Sequence, residues 1–269
     1  MRVLLSNDDG IESPALWRLA LEVAESPGIE GYVVAPAEEW SAQGHAITVR
    51  EPLYAERLPA SGYPLPAWRV SGTPADCVKL GLHSLLPEPV DLVVAGINQG
   101  FNLATDVLYS GTVAAATEGV LGGLPAIAVS SGHESGTPTT YQFPAQVTCQ
   151  LLNLLSDQMD HSWLLNVNIP ATDDARVNGV WITELGPCPY IDVVRSDEDE
   201  AGRACYWLAI EPHPDRPVAG SDWEAVQKGA ISLTPLEVLR LTKTNHFAGL
   251  VPVVEELQAR LGEGAGPFG

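Results

Sequence analysis

Five short runs are apolar nearly throughout and are separated by stretches of helical period: Arg2–Ser6, Tyr32–Ala35, Asp91–Ala95, Ala126–Ser130 and Trp163–Ile169. A strand that is apolar on both faces must be covered on both faces. Strands of this kind alternating with helices are the signature of a mainly parallel sheet inside an α/β fold. The intervening segments supply the helices. Pro14 suits the first turn of one, with Leu16, Leu19, Ala20 and Val23 at helical spacing and Pro27-Gly28 as its stop. Further helices are expected over Pro74–Leu86, Thr112–Leu121 and Gln142–Leu155. A late strand is expected at Ile231–Thr234 and a last helix at Leu250–Leu261.

The texture changes after Thr183. Between Glu184 and Glu224 ten acids face three arginines, prolines are frequent, and Arg203–Ile210 alone reads as a strand. This predicts a core over residues 1–183. Residues 184–269 then form an extension of hairpins and irregular structure with a closing strand and helix, rather than a second full domain. The run Asp197–Glu200 reads as a solvated loop.

Charge and cysteine usage restrict the function. The formal net charge of −20 repels nucleic-acid polymers and anionic membrane surfaces. A small phosphate ester is still allowed, because a bound cation reverses the field within one pocket. No apolar run reaches the roughly 20 residues of a membrane span. The run at the amino terminus is too short for a secretory signal, so a cytoplasmic location is expected. Cys77, Cys149, Cys188 and Cys205 are far apart, form no CxxC pair and read as free, mostly buried thiols, with Cys188 and Cys205 able to face each other across a hairpin.

In a parallel sheet ligands bind beyond the carboxyl ends of the strands. Asn7-Asp8-Asp9-Gly10 follows the first strand, and Ser41, Gly44 and His45 lie in the loop after the second. Gly96-Ile97-Asn98-Gln99-Gly100-Phe101-Asn102 follows the third and leads to Ser110-Gly111-Thr112 at a helix start. Adjacent carboxylates at a strand end can converge on a hard divalent ion such as Mg²⁺ or Mn²⁺, or can be a turn and a helix cap. Ser110-Gly111-Thr112 can bind an anion at the helix amino terminus or simply cap it. Asn98, Gln99 and Asn102 can contribute neutral oxygens or only form turns. Their shared edge favours one site with acids for a cation and amides for phosphate. No GxxxxGK[ST], HExxH or GxSxG occurs, and no GxGxxG follows an expected strand. A receiver-like module would need an acid at the end of the third strand, where Gly96-Ile97-Asn98 stands. A non-catalytic nucleotide-binding protein is the other alternative.

Long ordered blocks carry a resemblance: Leu4–Ile11 (LLSNDDGI), Gly72–Val78 (GTPADCV), Gly96–Asn102 (GINQGFN), Asp106–Ala115 (DVLYSGTVAA), Leu165–Pro170 (LNVNIP) and Ile231–Leu236 (ISLTPL). With these the chain resembles the SurE family, survival proteins that act as 5′-/3′-nucleotidases. The resemblance implies a Rossmann-like domain and one divalent metal per subunit, held by Asp8, Asp9, Ser41 and Asn98. It implies catalytic parts for Asp8, Asp9 and Asn98, a phosphate site at Ser110, Gly111 and Thr112, and substrate contacts from Asn7 and Gly44. Expected substrates are nucleoside monophosphates, with short polyphosphate a further one. The expected assembly is a homodimer or homotetramer built through carboxy-terminal elements. Three positions depart from the family pattern: Gly44 falls late after Ser41, Ala104 replaces a glycine and Thr117 a methionine.

Overall fold

Nine strands form one sheet in the computed structural model, which describes residues 1–133, 140–156, 163–171, 177–199, 201–212 and 217–238. In chain order the strands are β1 (Arg2–Ser6), β2 (Glu30–Pro36), β3 (Ala55–Arg57), β4 (Ala67–Val70), β5 (Leu92–Gln99), β6 (Ala126–Ser131), β7 (Leu164–Ile169), β8 (Val180–Ile182), β9 (Tyr190–Glu198), β10 (Ala204–Pro212) and β11 (Ile231–Leu236). The sheet runs β3-β4-β2-β1-β5-β6-β7-β11-β8, and β9 and β10 form a separate hairpin. From β4 to β7 all neighbours are parallel; β3 and β11 enter antiparallel.

The helices are α1 (Pro14–Glu25), α2 (Pro74–Leu80), α3 (Gly111–Leu121), α4 (Gln142–Leu155) and α5 (Asp222–Gln227). Alternation along the buried strands assigns them to two layers. Val3, Leu5, Leu92 and Val94 join one apolar cluster with α1 and α4. Leu4 and Val93 point the other way, so closely under α2 and α3 that a Cβ on Gly81 would lie 2.9 Å from Leu4 and one on Gly119 2.8 Å from Val93. Runs apolar on both faces are therefore buried on both faces, and the mainly parallel α/β architecture is as expected.

The differences are local. The helix expected over Pro74–Leu86 is α-helical only to Leu80 and widens into a π-helical turn over Gly81–Leu85. The expected strand Asp91–Ala95 continues to Gln99 through an irregularity. After Thr183 the chain is more regular than expected: β9 and β10 pair over nine residues each, and α5 and β11 pack back on the sheet beside β7. Asp197 and Glu198 are exposed strand residues, and Asp199 shapes the turn by accepting from the Ala201 and Arg203 amides. Cys205 lies opposite Asp197, whereas Cys188 contacts Thr105, so the two cysteines do not meet across the hairpin. All four thiols are free, and only Cys77 and Cys149 are buried. The helix expected at Leu250–Leu261 lies outside the described residues. One unit spans Met1–Leu236. Among the described residues no helix is long and apolar enough to cross a membrane.

Candidate active site

The chain leaves β1 for β2 on one side and later returns to β5 on the other. The carboxyl ends of β1 and β5 therefore diverge at a topological switch point, where open α/β sheets form their ligand crevice. A cleft of about 770 Å³ opens there. Asp8, Asp9, Ser41, Asn98 and Ser110 all line it, together with Gln99 and Asn102. Asn7, Gly44, Gly111 and Thr112 do not line it and support it from behind.

Asp8 is buried, and its Oδ1 accepts a short hydrogen bond from the Thr112 hydroxyl. Gly111 lets the first turn of α3 come this close, since a Cβ there would lie 2.7 Å from Asp8 Cβ and 3.0 Å from its Oδ2. Burial pushes the Asp8 carboxyl above its ordinary range against the opposing Thr112 bond. Asp9 is pushed up to about 7, first by burial and then by the charge of Asp8, with bonds from Gln99 opposing. Its Oδ2 is buried and without a hydrogen-bond partner. Asn7 is fully buried, its Nδ2 donating 3.0 Å to Gly10 O while its Oδ1 is also unpartnered.

Asn98 reaches the cleft through a fault in β5. Ala95 pairs with Ala128 but Asn98 with Ser130, so β5 carries one extra residue, a bulge that re-aims the side chains beyond it. Gly96 makes the bulge possible: it has φ +131°, and a Cβ there would sit 2.3 Å from Val129 O. Asn98 Nδ2 donates to Gly100 O at 2.9 Å, which leaves its Oδ1 for another partner.

Ser41 lies on an anchored loop. Gly44 N donates to Tyr109 O at 2.9 Å, His45 Nε2 lies 2.7 Å from Glu118 Oε1, and Asp76 Oδ1 accepts from Thr48 N at 3.0 Å. Asp76 also closes a capping box with Thr73 at the start of α2, which gives the GTPADCV block a structural part. Burial raises the Glu118 carboxyl, but bonds from His45 and Lys79 outweigh it and hold it below the ordinary range. His45 is thus a partner of Glu118 and does not line the cleft. Ser110 caps α3, its Oγ accepting from Val113 N at 3.1 Å. Val113 N is taken by Ser110, Ser110 N by Asp106 O, and the Thr112 hydroxyl and backbone by Asp8, so the Gly111 amide is the donor left at this helix start.

Several cleft residues carry no signal in the sequence beyond their place in a polar block. Glu39, Asp106 and Asp192 add three carboxylates to Asp8 and Asp9, and among the described residues no lysine or arginine lines the cleft. Tyr190 and Leu208 reach it from the hairpin, the Tyr190 hydroxyl donating to Asp106 Oδ1. Among the described residues no three His, Cys, Asp or Glu side chains form a metal cluster. A cation here would rest on two carboxylates and neutral oxygens. The donor set fits a hard ion: Asp8 Oδ2, the unpartnered Asp9 Oδ2, Asn98 Oδ1 and Ser41 Oγ are all oxygens.

Residues 3–191 match the family model described as Survival protein SurE. The chain is 42% identical to the 5′-nucleotidase SurE of Heliobacterium modesticaldum, over 100% of this chain and 94% of that one. It is 46% identical to the 5′-nucleotidase SurE of Thermosynechococcus vestitus, over 88% and 90% respectively. Among solved structures, the SurE protein from Aquifex aeolicus superposes with a TM-score of 0.80 at 34% identity, covering 95% of this chain and 100% of that one.

Proposed function

This chain belongs to the SurE family, and from that premise we propose that it is a divalent-metal-dependent phosphomonoesterase acting on nucleoside 5′- and 3′-monophosphates. One observation carries the reading: a cleft at the sheet's switch point lined, among the described residues, by five carboxylates and no lysine or arginine, with buried Asp8 beside half-buried Asp9 and one Asp9 oxygen unpartnered. Such a cleft repels a phosphate dianion by itself and attracts it once a cation is bound. Asp8, Asp9, Ser41 and Asn98 would hold Mg²⁺ or Mn²⁺. The ion, when bound, neutralises phosphate charge and polarises the phosphorus centre.

The chain's own residues then have distinct tasks. Thr112 and Gly111 fix the Asp8 carboxylate. The Gly111 amide at the start of α3, beside the Ser110 hydroxyl, donates to the non-bridging phosphate oxygens as a preorganised group. The Asp9 carboxylate, through the oxygen not given to the cation, takes the proton of the attacking water as the new O–P bond forms. The ester P–O bond breaks, and the leaving oxygen takes a proton from solvent. Asn7 and Gly44 act by shaping the strand end and the Ser41 loop. Short polyphosphate offers the same terminal phosphoryl group. The Tyr190–Pro212 hairpin, with Tyr206, Trp207 and Leu208 exposed, supports a homodimer or homotetramer. A cytoplasmic location fits the free thiols.

The test is phosphate release from a panel of nucleoside monophosphates with Mg²⁺, Mn²⁺ or EDTA. Release with either metal and none in EDTA is expected. A folded chain that binds nucleotide but releases nothing with any metal is a binding module instead.

A further inference from the structure

Asp222 lies at the start of α5, remote in sequence from every candidate site residue, and is fully buried. Its carboxylate is divided between two tasks. Oδ1 accepts from Gly186 N at 2.9 Å and from Trp223 N at 2.8 Å. Oδ2 accepts from Ala104 N at 2.7 Å, across 118 residues of chain. Ala104 opens the turn Ala104–Leu108 with φ +51°, a left-handed conformation that disfavours a side chain. From there a ladder runs to the phosphate end of α3: Tyr109 N and Ser110 N both donate to Asp106 O, at 2.9 and 3.0 Å. The preceding residues are tied down by Asn168, whose Oδ1 accepts from Asn102 N at 2.9 Å, and by Asn166, whose Nδ2 donates to Asn102 O at 2.8 Å.

We propose that Asp222 is a positioning residue: by holding Ala104 N–H it sets the turn Ala104–Ser110 and so aims the phosphate-binding end of α3. The two faces of its carboxylate make the claim separable from plain stability. In Asp222→Asn the remaining oxygen still serves the two donors of Gly186 and Trp223. The new NH₂ group then faces Ala104 N–H, donor against donor, and releases that tether alone. Ala225→Gly weakens the same helix without touching the carboxylate and is the matched control.

The kinetic arm rests on the phosphatase reading. With the metal-loaded full chain, Asp222→Asn is expected to raise KM and the inhibition constant for inorganic phosphate about tenfold, with a smaller fall in kcat. Ala225→Gly, at a comparable loss of thermal stability, should leave the phosphate constant within about twofold. Equal phosphate constants for the two variants would overturn the proposal. A second arm needs neither variant nor activity: amide hydrogen exchange of the unmodified chain. Ala104 N–H is expected to exchange as slowly as the Val93 and Val94 amides of β5. Exchange at the rate of an exposed loop would sink the tether even in an active enzyme. An inactive chain with a protected Ala104 amide would instead count against the phosphatase reading and leave the tether standing.

Discussion

Asp8 has two neighbours with different effects. Gly111 permits the close approach of α3, and Thr112 uses that approach to orient one carboxylate oxygen. Removing the hydroxyl while keeping the shape should therefore loosen Asp8 without emptying the site. Thr112→Val is expected to lower kcat/KM by about tenfold, consistent with the loss of a hydrogen bond to a charged group. Steady-state rates on the best nucleotide of the panel would measure it, and an unchanged kcat/KM would assign Thr112 a packing role only. Thr112 also marks the limit of sequence reading at this scale. The Ser110-Gly111-Thr112 block reads as a phosphate site. Its threonine hydroxyl nevertheless points to an aspartate 104 residues away, a contact no local pattern encodes. Asp8, Asp9, Ser41 and Asn98 were legible as a group because each follows a strand that the apolar pattern already orders.

At the scale of elements, the bulge in β5 does most to build the cleft. Gly96 has φ +131°, and an added Cβ would meet the Val129 carbonyl at 2.3 Å. Gly96→Ala must therefore shift one of two central strands. A loss of about 3 kcal/mol in unfolding free energy is expected from urea denaturation, together with loss of activity. A loss below about 1 kcal/mol would mean that the bulge is pliable. Strands apolar on both faces were readable because their burial leaves a continuous run. β4 (AWRV) is four residues long and β9 carries acids on exposed positions, so neither run has the apolar continuity or period that marks a strand. β9 is instead defined by its nine-residue pairing with β10, which only the folded chain brings together.

Taken as a whole, the molecule gathers acids at one edge of its sheet although it already carries a net charge of −20. Asp106 shows one consequence. Burial, opposed by a bond from Cys188 and reinforced by Asp222 and Asp192, pushes its carboxyl from 3.8 up to about 6. Between those values the folded chain holds a proton that the unfolded chain has lost. This group's contribution is therefore full below 3.8, falls as pH rises through that window and is lost above about 6. Relative to Asp106→Asn, the wild type should lose stability from about pH 4 to 6 and then run parallel to it, by thermal melts across pH. A constant difference across that window would contradict the assignment. The same crowding of acids underlies the central claim that this cleft works through a cation held by Asp8 and Asp9. The most direct test is titration of Mn²⁺ into the wild type and into Asp8→Asn, followed by calorimetry and paired with phosphate release. The account predicts one site per subunit in the wild type. In the variant, affinity should weaken by at least about 100-fold and turnover should fall with it. Mn²⁺ binding and turnover in Asp8→Asn equal to those of the wild type would contradict it.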